Sequence, residues 1–271
     1  MASTATEFSS DPVLVEDSTP SVAVAGPGPA AAVKDMHGIV VQDVSVSMQD
    51  QRRSVQTGVN EIIGELQTRY KEPCEYKATF CIIKFSSHDR ISVGPAVPVH
   101  DVAKLDNLVC DGMTALWDTV AIAISQMNEK SSGVPATTYV FTDGDNNDSR
   151  EYTQSRVNEM IADNKKRNPM HSILFIGSDP STKRNAAGMG LDRVHSIQHD
   201  SDNTPVAYEV CRRALERCIT GDTQSTEFNE SDIILSETPS AQTPSAPRGH
   251  ASPPQMDSQC DFDCDDVPSR R

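Results

Sequence analysis

A carboxylate and two hydroxyls follow an apolar run near the start of this 271-residue chain, at a spacing of two residues. The run occupies residues 39–41, and the polar side chains belong to Asp43, Ser45 and Ser47. In α/β proteins, ligands bind outside the carboxyl ends of the strands. Hard oxygen atoms of this kind are the ligands that Mg²⁺ prefers. If the apolar run is a buried strand, the spacing therefore predicts part of a magnesium site at the end of that strand.

Two later segments carry polar residues at comparable positions. Thr114 precedes a predicted helix, and Asp143 follows the predicted strand 138–141. Two carboxylates and three hydroxyls could then meet at one edge of a sheet. Because Mg²⁺ takes near-octahedral oxygen coordination and readily keeps waters, such a set leaves room for one external ligand. Asp and Ser at strand ends also commonly cap helices and turns, and for Asp43 alone capping is the more ordinary interpretation.

Alternating strand and helix patterns position these segments. Strands are predicted at 38–43, 76–85, 91–99, 138–141, 172–176 and 194–197, and helices at 52–69, 115–128, 150–167, 181–187 and 204–219. This alternation predicts a doubly wound α/β fold, with a mostly parallel six-stranded sheet, a central first strand and helices on both faces. Pro95 and Pro98 place the third strand at an edge, where its short link to the second predicts antiparallel pairing. Ser149 and Thr204 are expected to cap the helices that follow them.

The composition divides the chain into one domain and two tails. Residues 1–34 are rich in Ala, Ser, Thr, Pro and Gly, and residues 221–271 in Ser, Thr, Pro, Asp and Gln. Such segments cannot bury enough apolar surface to offset the cost of ordering the backbone, so we expect both tails to be disordered. Residues 35–220 remain as one α/β domain of ordinary size. Of the net charge of −15, the C-terminal tail carries −7 and the N-terminal tail −3.

The charge and the cysteines argue against several classes of protein. An acidic chain lacks the basic patch that binding to a phosphate backbone needs, so we expect no nucleic-acid partner. No apolar stretch approaches the roughly 18 residues that span a membrane, and the N-terminus lacks the basic and apolar regions of a secretory signal. Seven cysteines without a CxxC pair are consistent with reduced thiols. We therefore expect an intracellular protein located in the cytoplasm.

The three polar segments together resemble the metal-ion-dependent adhesion site (MIDAS) of von Willebrand factor A (vWA) domains. That site is written DxSxS, followed by a Thr on a second loop and an Asp on a third. The pattern is matched here by Asp43, Ser45, Ser47, Thr114 and Asp143. The resemblance extends over about residues 38–219, with the motifs in the family's order. Val46 and Met113 stand where the family often has Gly, and neither departure removes a ligand.

The resemblance implies a protein-binding module that depends on a divalent metal. Mg²⁺, or Mn²⁺ in its place, would accept an Asp or Glu carboxylate from a partner protein as its missing ligand. Asp43 and Asp143 supply negative charge and the hydroxyls are neutral, so the ion stays electrophilic toward an outside carboxylate. Two alternatives remain open. The chain could be a scaffold whose tails recruit partners while the metal only holds the loops, or a non-catalytic subunit that serves an ATPase complex.

Catalysis finds no support in the sequence. The chain contains no nucleophile–base pair in a known motif and no nucleotide-binding glycine loop. A phosphatase that used Asp43 as its nucleophile would need a second carboxylate at position 45, and Ser45 cannot serve as an acid at neutral pH. We therefore expect that this protein is not an enzyme.

The tails contain short strings that resemble partner-recruiting motifs. Residues 13–17 and 232–237 place β-branched residues beside acids, as in segments that add a strand to the modifier SUMO. Residues 244–247, Pro-Ser-Ala-Pro, resemble the late-domain tetrapeptide that recruits membrane-scission machinery. Strings this short arise often in low-complexity sequence, so they predict partners only weakly.

Overall fold

The computed structural model describes residues 35–71, 77–130, 134–200, 203–223 and 225–238. The predicted tail at 1–34 and the chain beyond 238 lie outside the described residues. The strings at 13–17 and 244–247 lie there too.

Strands and helices alternate along the described chain. Their bounds are β1 (Asp35–Asp43), α1 (Arg52–Arg69), β2 (Lys77–Phe85), β3 (Ile91–Val93), β4 (Val97–Pro98), α2 (Leu116–Lys130), β5 (Ala136–Phe141), α3 (Gln154–Arg167), β6 (His171–Gly177), α4 (Ser181–Gly188), β7 (Ser196–Gln198), α5 (Thr204–Ile219) and α6 (Glu230–Glu237). Short 3₁₀ turns at Val46–Gln49, Val99–Asp101 and Arg193–His195 complete the elements.

One sheet runs through the molecule in the order β3-β2-β1-β5-β6-β7, and β4 also pairs with β2. The pairs β1–β2, β1–β5, β5–β6 and β6–β7 are parallel, whereas β3 and β4 run antiparallel to β2. The predicted doubly wound, mostly parallel fold with an antiparallel edge and an interior first strand is confirmed. Asp43 pairs with Phe85, and Gln42 with Phe141, so β1, β2 and β5 end together at one edge.

Two cores cover the two faces of the sheet. Val40 on β1 belongs to the core formed with α1 and α5, and Val41 belongs to the core formed with α2, α3 and α4. Helices α1 and α5 approach closely at Gly58, where an added Cβ would lie 2.1 Å from the ring of Tyr208. That ring stacks on Phe141, with centroids 4.6 Å apart. Among the described helices, none is both long and apolar enough to cross a membrane.

The sheet has seven strands because the predicted strand 91–99 is interrupted. Gly94 still donates to Ile82 O over 2.9 Å. Pro95 then has no N–H to continue the ladder, so the chain leaves β2 and returns only at Val97–Pro98. Two short strands therefore replace the single one that was predicted.

The start of α3 was also predicted wrongly. The helix begins at Gln154, and its cap is Thr153, whose side chain accepts from Arg156 N. The backbone N–H groups of residues 150–152 instead donate to the carboxylate of Asp118, so they do not begin a helix. Helix α5 has the predicted bounds, but its cap is Asn203, and Thr204, which was expected to be the cap, is its first helical residue.

The domain extends beyond residue 220, where the disordered tail was predicted to begin. Asn229 and Asp232 form a capping box at the start of α6, and Asp232 also forms an ion pair with Arg217 on α5. Phe228 and Ile233 are buried in the core that contains α5. Two large apolar side chains thus anchor residues 225–238. The segment 232–237, which resembles a strand-adding motif, is helical here, with Ile233 directed into the protein.

Candidate metal centre

Asp43 is the last residue of β1, and its side chain is fully buried. Its Oδ1 accepts a hydrogen bond from Ser45 N over 2.7 Å. Its Oδ2 accepts from Thr142 Oγ1 over 2.7 Å, and Thr142 directly follows β5. Both carboxylate oxygens are therefore held by the ends of two neighbouring parallel strands. Sequence reasoning missed Thr142, although its position directly after a strand was a usable signal.

The first and third loops meet through a chain of hydroxyls. Ser47 Oγ donates to Asp143 Oδ1 over 2.8 Å, and Ser45 Oγ lies 3.0 Å from Ser47 Oγ. Since the single hydroxyl hydrogen of Ser47 goes to Asp143, Ser45 is the donor to Ser47. The 3₁₀ turn at Val46–Gln49 bends the chain after Ser45, which brings Ser47 back toward the third loop.

Thr114 brings the second loop to the same place. Its side chain is buried, its N–H donates to Asn147 Oδ1 over 2.7 Å, and its carbonyl accepts from Asn147 N over 3.0 Å. A Cβ added to Gly144 would lie 3.8 Å from Thr114 Oγ1 and 3.9 Å from Ser47 Oγ. The hydroxyls of the first two loops therefore face the backbone of the third. The structure brings together all five residues that the sequence singled out.

Gly112 allows the second loop to approach the first. Its φ of +83° lies in the left-handed region that favours glycine. An added Cβ would also lie 2.7 Å from Ser87 Oγ. The carbonyl of Gly112 accepts from Val46 N over 3.2 Å, so the two ligand-bearing loops are joined through their backbones.

Asp118 joins the second loop to the third. Its carboxylate accepts the backbone N–H groups of Arg150, Glu151 and Tyr152 over 2.8–3.0 Å. Its own N–H donates to Ser149 Oγ over 3.1 Å. Sequence reasoning assigned no role to Asp118, because an Asp near the start of a helix does not reveal which distant backbone it will bind.

Burial makes the two carboxylates costly to ionise. Burial is the largest of the effects that raise the pKa of Asp43 to about 6, and the negative charge of Asp143 adds to it. The hydrogen bonds from Thr142 and Ser45 lower the pKa but do not offset burial. Burial likewise raises the pKa of Asp143. Within the described ranges, no basic side chain forms an ion pair with either. One buried and one half-buried carboxylate that repel each other, with no basic partner in the described ranges, provide a place where a cation would lower the energy.

The donor set suits a hard cation. No group of three or more His, Cys, Asp or Glu side chains in the described ranges could hold a metal ion. The three loops offer instead two carboxylates and three hydroxyls. Carboxylate, hydroxyl and water oxygens suit Mg²⁺ and Mn²⁺, whereas zinc sites usually draw on His and Cys. The residues present therefore fit the metal that the motif implies.

Solved structures of similar architecture include two pilus proteins. The pilus adhesin SpaC from Lactobacillus rhamnosus GG, in its open conformation, matches with a TM-score of 0.56 and 13% identity, over 69% of this chain and 30% of that chain. The vWF domain of the type V pili tip protein Mfa5 from Porphyromonas gingivalis matches with a TM-score of 0.52 and 12% identity, over 70% of this chain and 97% of that one. No protein-family model and no curated protein matches this chain.

The chain has the vWA fold. The evidence is the parallel sheet with its antiparallel edge, the helices on both faces and the similarity to the Mfa5 domain. At 12–13% identity, the likeness extends to the fold alone. The match spans less than a third of SpaC, so the activity of that whole protein bears on this chain only as a hypothesis.

Proposed function

We propose that this protein is a binding module that captures a carboxylate of a partner protein through a divalent metal. Mg²⁺, or Mn²⁺, would be held directly or through water by Asp43, Ser45, Ser47, Thr114 and Asp143. The observation that supports this most strongly is the meeting of these side chains from three loops, with no basic residue in the described part of the chain paired to either carboxylate. The metal supplies an electrophilic position for one outside oxygen ligand.

The charge balance favours capture of an acidic side chain. The two carboxylates of the centre match the two positive charges of the ion, and the hydroxyls add none. A third carboxylate from outside is then attracted more strongly than it would be to a cage made wholly of carboxylates. The centre is also open to a partner, because Ser47 is exposed and Asp143 half-buried, whereas Asp43 is buried beneath them.

A binding role also fits the similar structures. SpaC is a pilus adhesin and Mfa5 a pilus tip protein, both by name. The hydroxyl of Ser47 donates its hydrogen to the Asp143 carboxylate, which would hold the metal, so the pair is not arranged as a nucleophile beside a free general base. We therefore propose binding, without catalysis, as the role of the centre.

Isothermal titration calorimetry with Mg²⁺ tests the metal site. We expect a saturable heat for the wild type and none for Asp43→Asn, which keeps the size of the side chain but removes its charge. Asp163→Asn is the matched control, because Asp163 is exposed on α3 and its one ion pair among the described residues is with Lys166. An equal heat for the wild type and Asp43→Asn would overturn the proposed site.

Affinity purification separates metal-dependent capture from a scaffold role. The full chain is used as bait with Mg²⁺ or with a chelator, alongside Thr114→Ala and a variant truncated after residue 238. We expect the chelator and Thr114→Ala to release the same partners. If the partners persist in both conditions but are lost on truncation, the scaffold alternative is correct and the metal serves only the loops.

A further inference from the structure

A cleft of about 340 Å³ opens next to the candidate metal centre, above the carboxyl end of β2. Its lining includes Val44, Lys84, Arg90, Val109 and Asp111. None of these residues belongs to the five-residue set, and the proposed function does not use them.

The cleft and the metal centre share the same two loops. Val44, which lines the cleft, stands between Asp43 and Ser45, and its carbonyl accepts from Asp111 N over 2.9 Å. The second loop continues from Asp111 to Thr114. A segment bound at the metal would therefore pass close to the cleft, because the same two loops form both sites.

The charge of the cleft is opposite to that of the metal ligands. Arg90 is paired with Asp111, at 2.5 Å between Nη1 and Oδ2. Lys84 is exposed at the end of β2, and no carboxylate in the described part of the chain pairs with it. The cleft thus carries one unbalanced positive charge on a chain whose net charge is −15.

Apolar side chains stand exposed around the same mouth. Val109 is 76% exposed and lines the cleft, and Met113 and Val46 beside the metal centre are 48% and 64% exposed.

We infer that this cleft is a second recognition site for the same partner segment, specific for a diacidic peptide. One carboxylate of the segment would reach the metal, a second acidic side chain would pair with Lys84, and an apolar side chain would pack on Val109. The inference rests on the proposed function and adds to it the sequence class of the partner. The inference is based on charge complementarity, because the metal and Lys84 are both positively charged and would each attract an acidic side chain of one partner segment.

Short fluorescein-labelled peptides test this by fluorescence polarisation with the full chain. One probe carries a single Glu among Ser and Ala. The others add a second Glu, a Lys or a Leu at each flanking position in turn. In Mg²⁺ we expect a second Glu at one preferred offset to tighten binding about fivefold, the size of one exposed ion pair. Lys84→Glu should reverse the preference from Glu to Lys, and Val109→Ser should remove any preference for Leu.

Lys77→Glu is the matched control, because Lys77 is an exposed lysine at the other end of the same strand. If the single-Glu probe binds in Mg²⁺ but no offset improves it and Lys84→Glu changes nothing, the inference fails and the proposed function stands. If the preference for two Glu residues survives chelation and Asp43→Asn, the cleft binds acidic peptides but the metal-dependent function fails. If no probe binds in Mg²⁺, both are overturned.

Discussion

Acidification should destabilise this protein through one buried histidine, His171. The residue begins β6, with Nδ1 2.7 Å from Asn164 Oδ1 and Nε2 2.9 Å from Thr138 Oγ1. Asn164 Nδ2 donates to Asn128 Oδ1 over 2.7 Å, which directs the oxygen of Asn164 at the ring. Nδ1 therefore carries the proton and Nε2 accepts from the Thr138 hydroxyl. The site is built for the neutral imidazole.

The size of this loss of stability follows from the pKa of His171. Burial lowers the pKa of His171 from 6.5 to about 4. Because this value is lower in the folded state, the unfolded chain takes up the proton first. The stabilisation is fully present above pH 6.5 and is lost as the pH falls toward 4. At about 1.4 kcal/mol per pKa unit, the loss amounts to about 3 kcal/mol of unfolding free energy.

Urea unfolding in chelator between about pH 7 and pH 4 measures this loss. The wild type is compared with His171→Gln and His171→Leu, whose side chains do not titrate. We expect the free-energy difference between the wild type and each variant to shrink by about 3 kcal/mol over that range. The raised pKa of Asp43 acts in the opposite direction, and it cancels in this difference because every variant retains Asp43. If the wild type and both variants lose stability in parallel, protonation of His171 does not cause the loss.

Three further predictions concern the loops and the C-terminal segment. Asp118→Ala should lower the unfolding free energy by about 2–3 kcal/mol, because three backbone N–H groups lose their acceptor. The same substitution should weaken Mg²⁺ binding in calorimetry. An unchanged Mg²⁺ affinity would show that Asp118 does not position the metal centre. Gly112→Ala should lower the unfolding free energy by about 1–3 kcal/mol, because a φ of +83° is strained for a residue with a side chain. Urea unfolding measures this loss. Gly64→Ala is the control, because Gly64 lies in a helix with open space around it. Ile233→Ala should cost about 2–5 kcal/mol in the same assay if residues 225–238 are part of the folded domain; a cost below about 0.5 kcal/mol, typical of an exposed site, would contradict that packing.

Local pattern was enough to predict most of the sheet and its helices. The apolar runs around Val40 and Val140 predicted buried parallel strands, and the period of the apolar residues in 52–69 predicted α1 with the bounds that the structure has. The ends of elements depended on contacts that sequence does not reveal. Helix α3 begins at Gln154 because the carboxylate of Asp118 takes the preceding N–H groups.

The C-terminal boundary was missed for a related reason. Residues 221–238 have the composition of a disordered tail, and average composition predicts that such a segment does not fold. Phe228 and Ile233 help to hold the segment because they are buried in the core, where α5 and β7 present a surface to α6. That surface exists only after the rest of the domain has folded.

For the candidate centre, the types of the donor residues and their order along the chain could be predicted before the fold was known. Asp43, Ser45 and Ser47 are hard oxygen donors placed directly after a strand, and their types and positions are properties of the chain. The sequence also predicted that Thr114 and Asp143 would lie near them, whereas the contacts of Thr142 and Asp118 that hold the loops together are visible only in the folded protein. The tertiary structure also placed Lys84 and Val109 in a cleft beside the centre. Strands and helices can be predicted because they follow from the local spacing of apolar residues along the chain. The partner of a donor or of a charge cannot, because packing brings it from a distant part of the sequence.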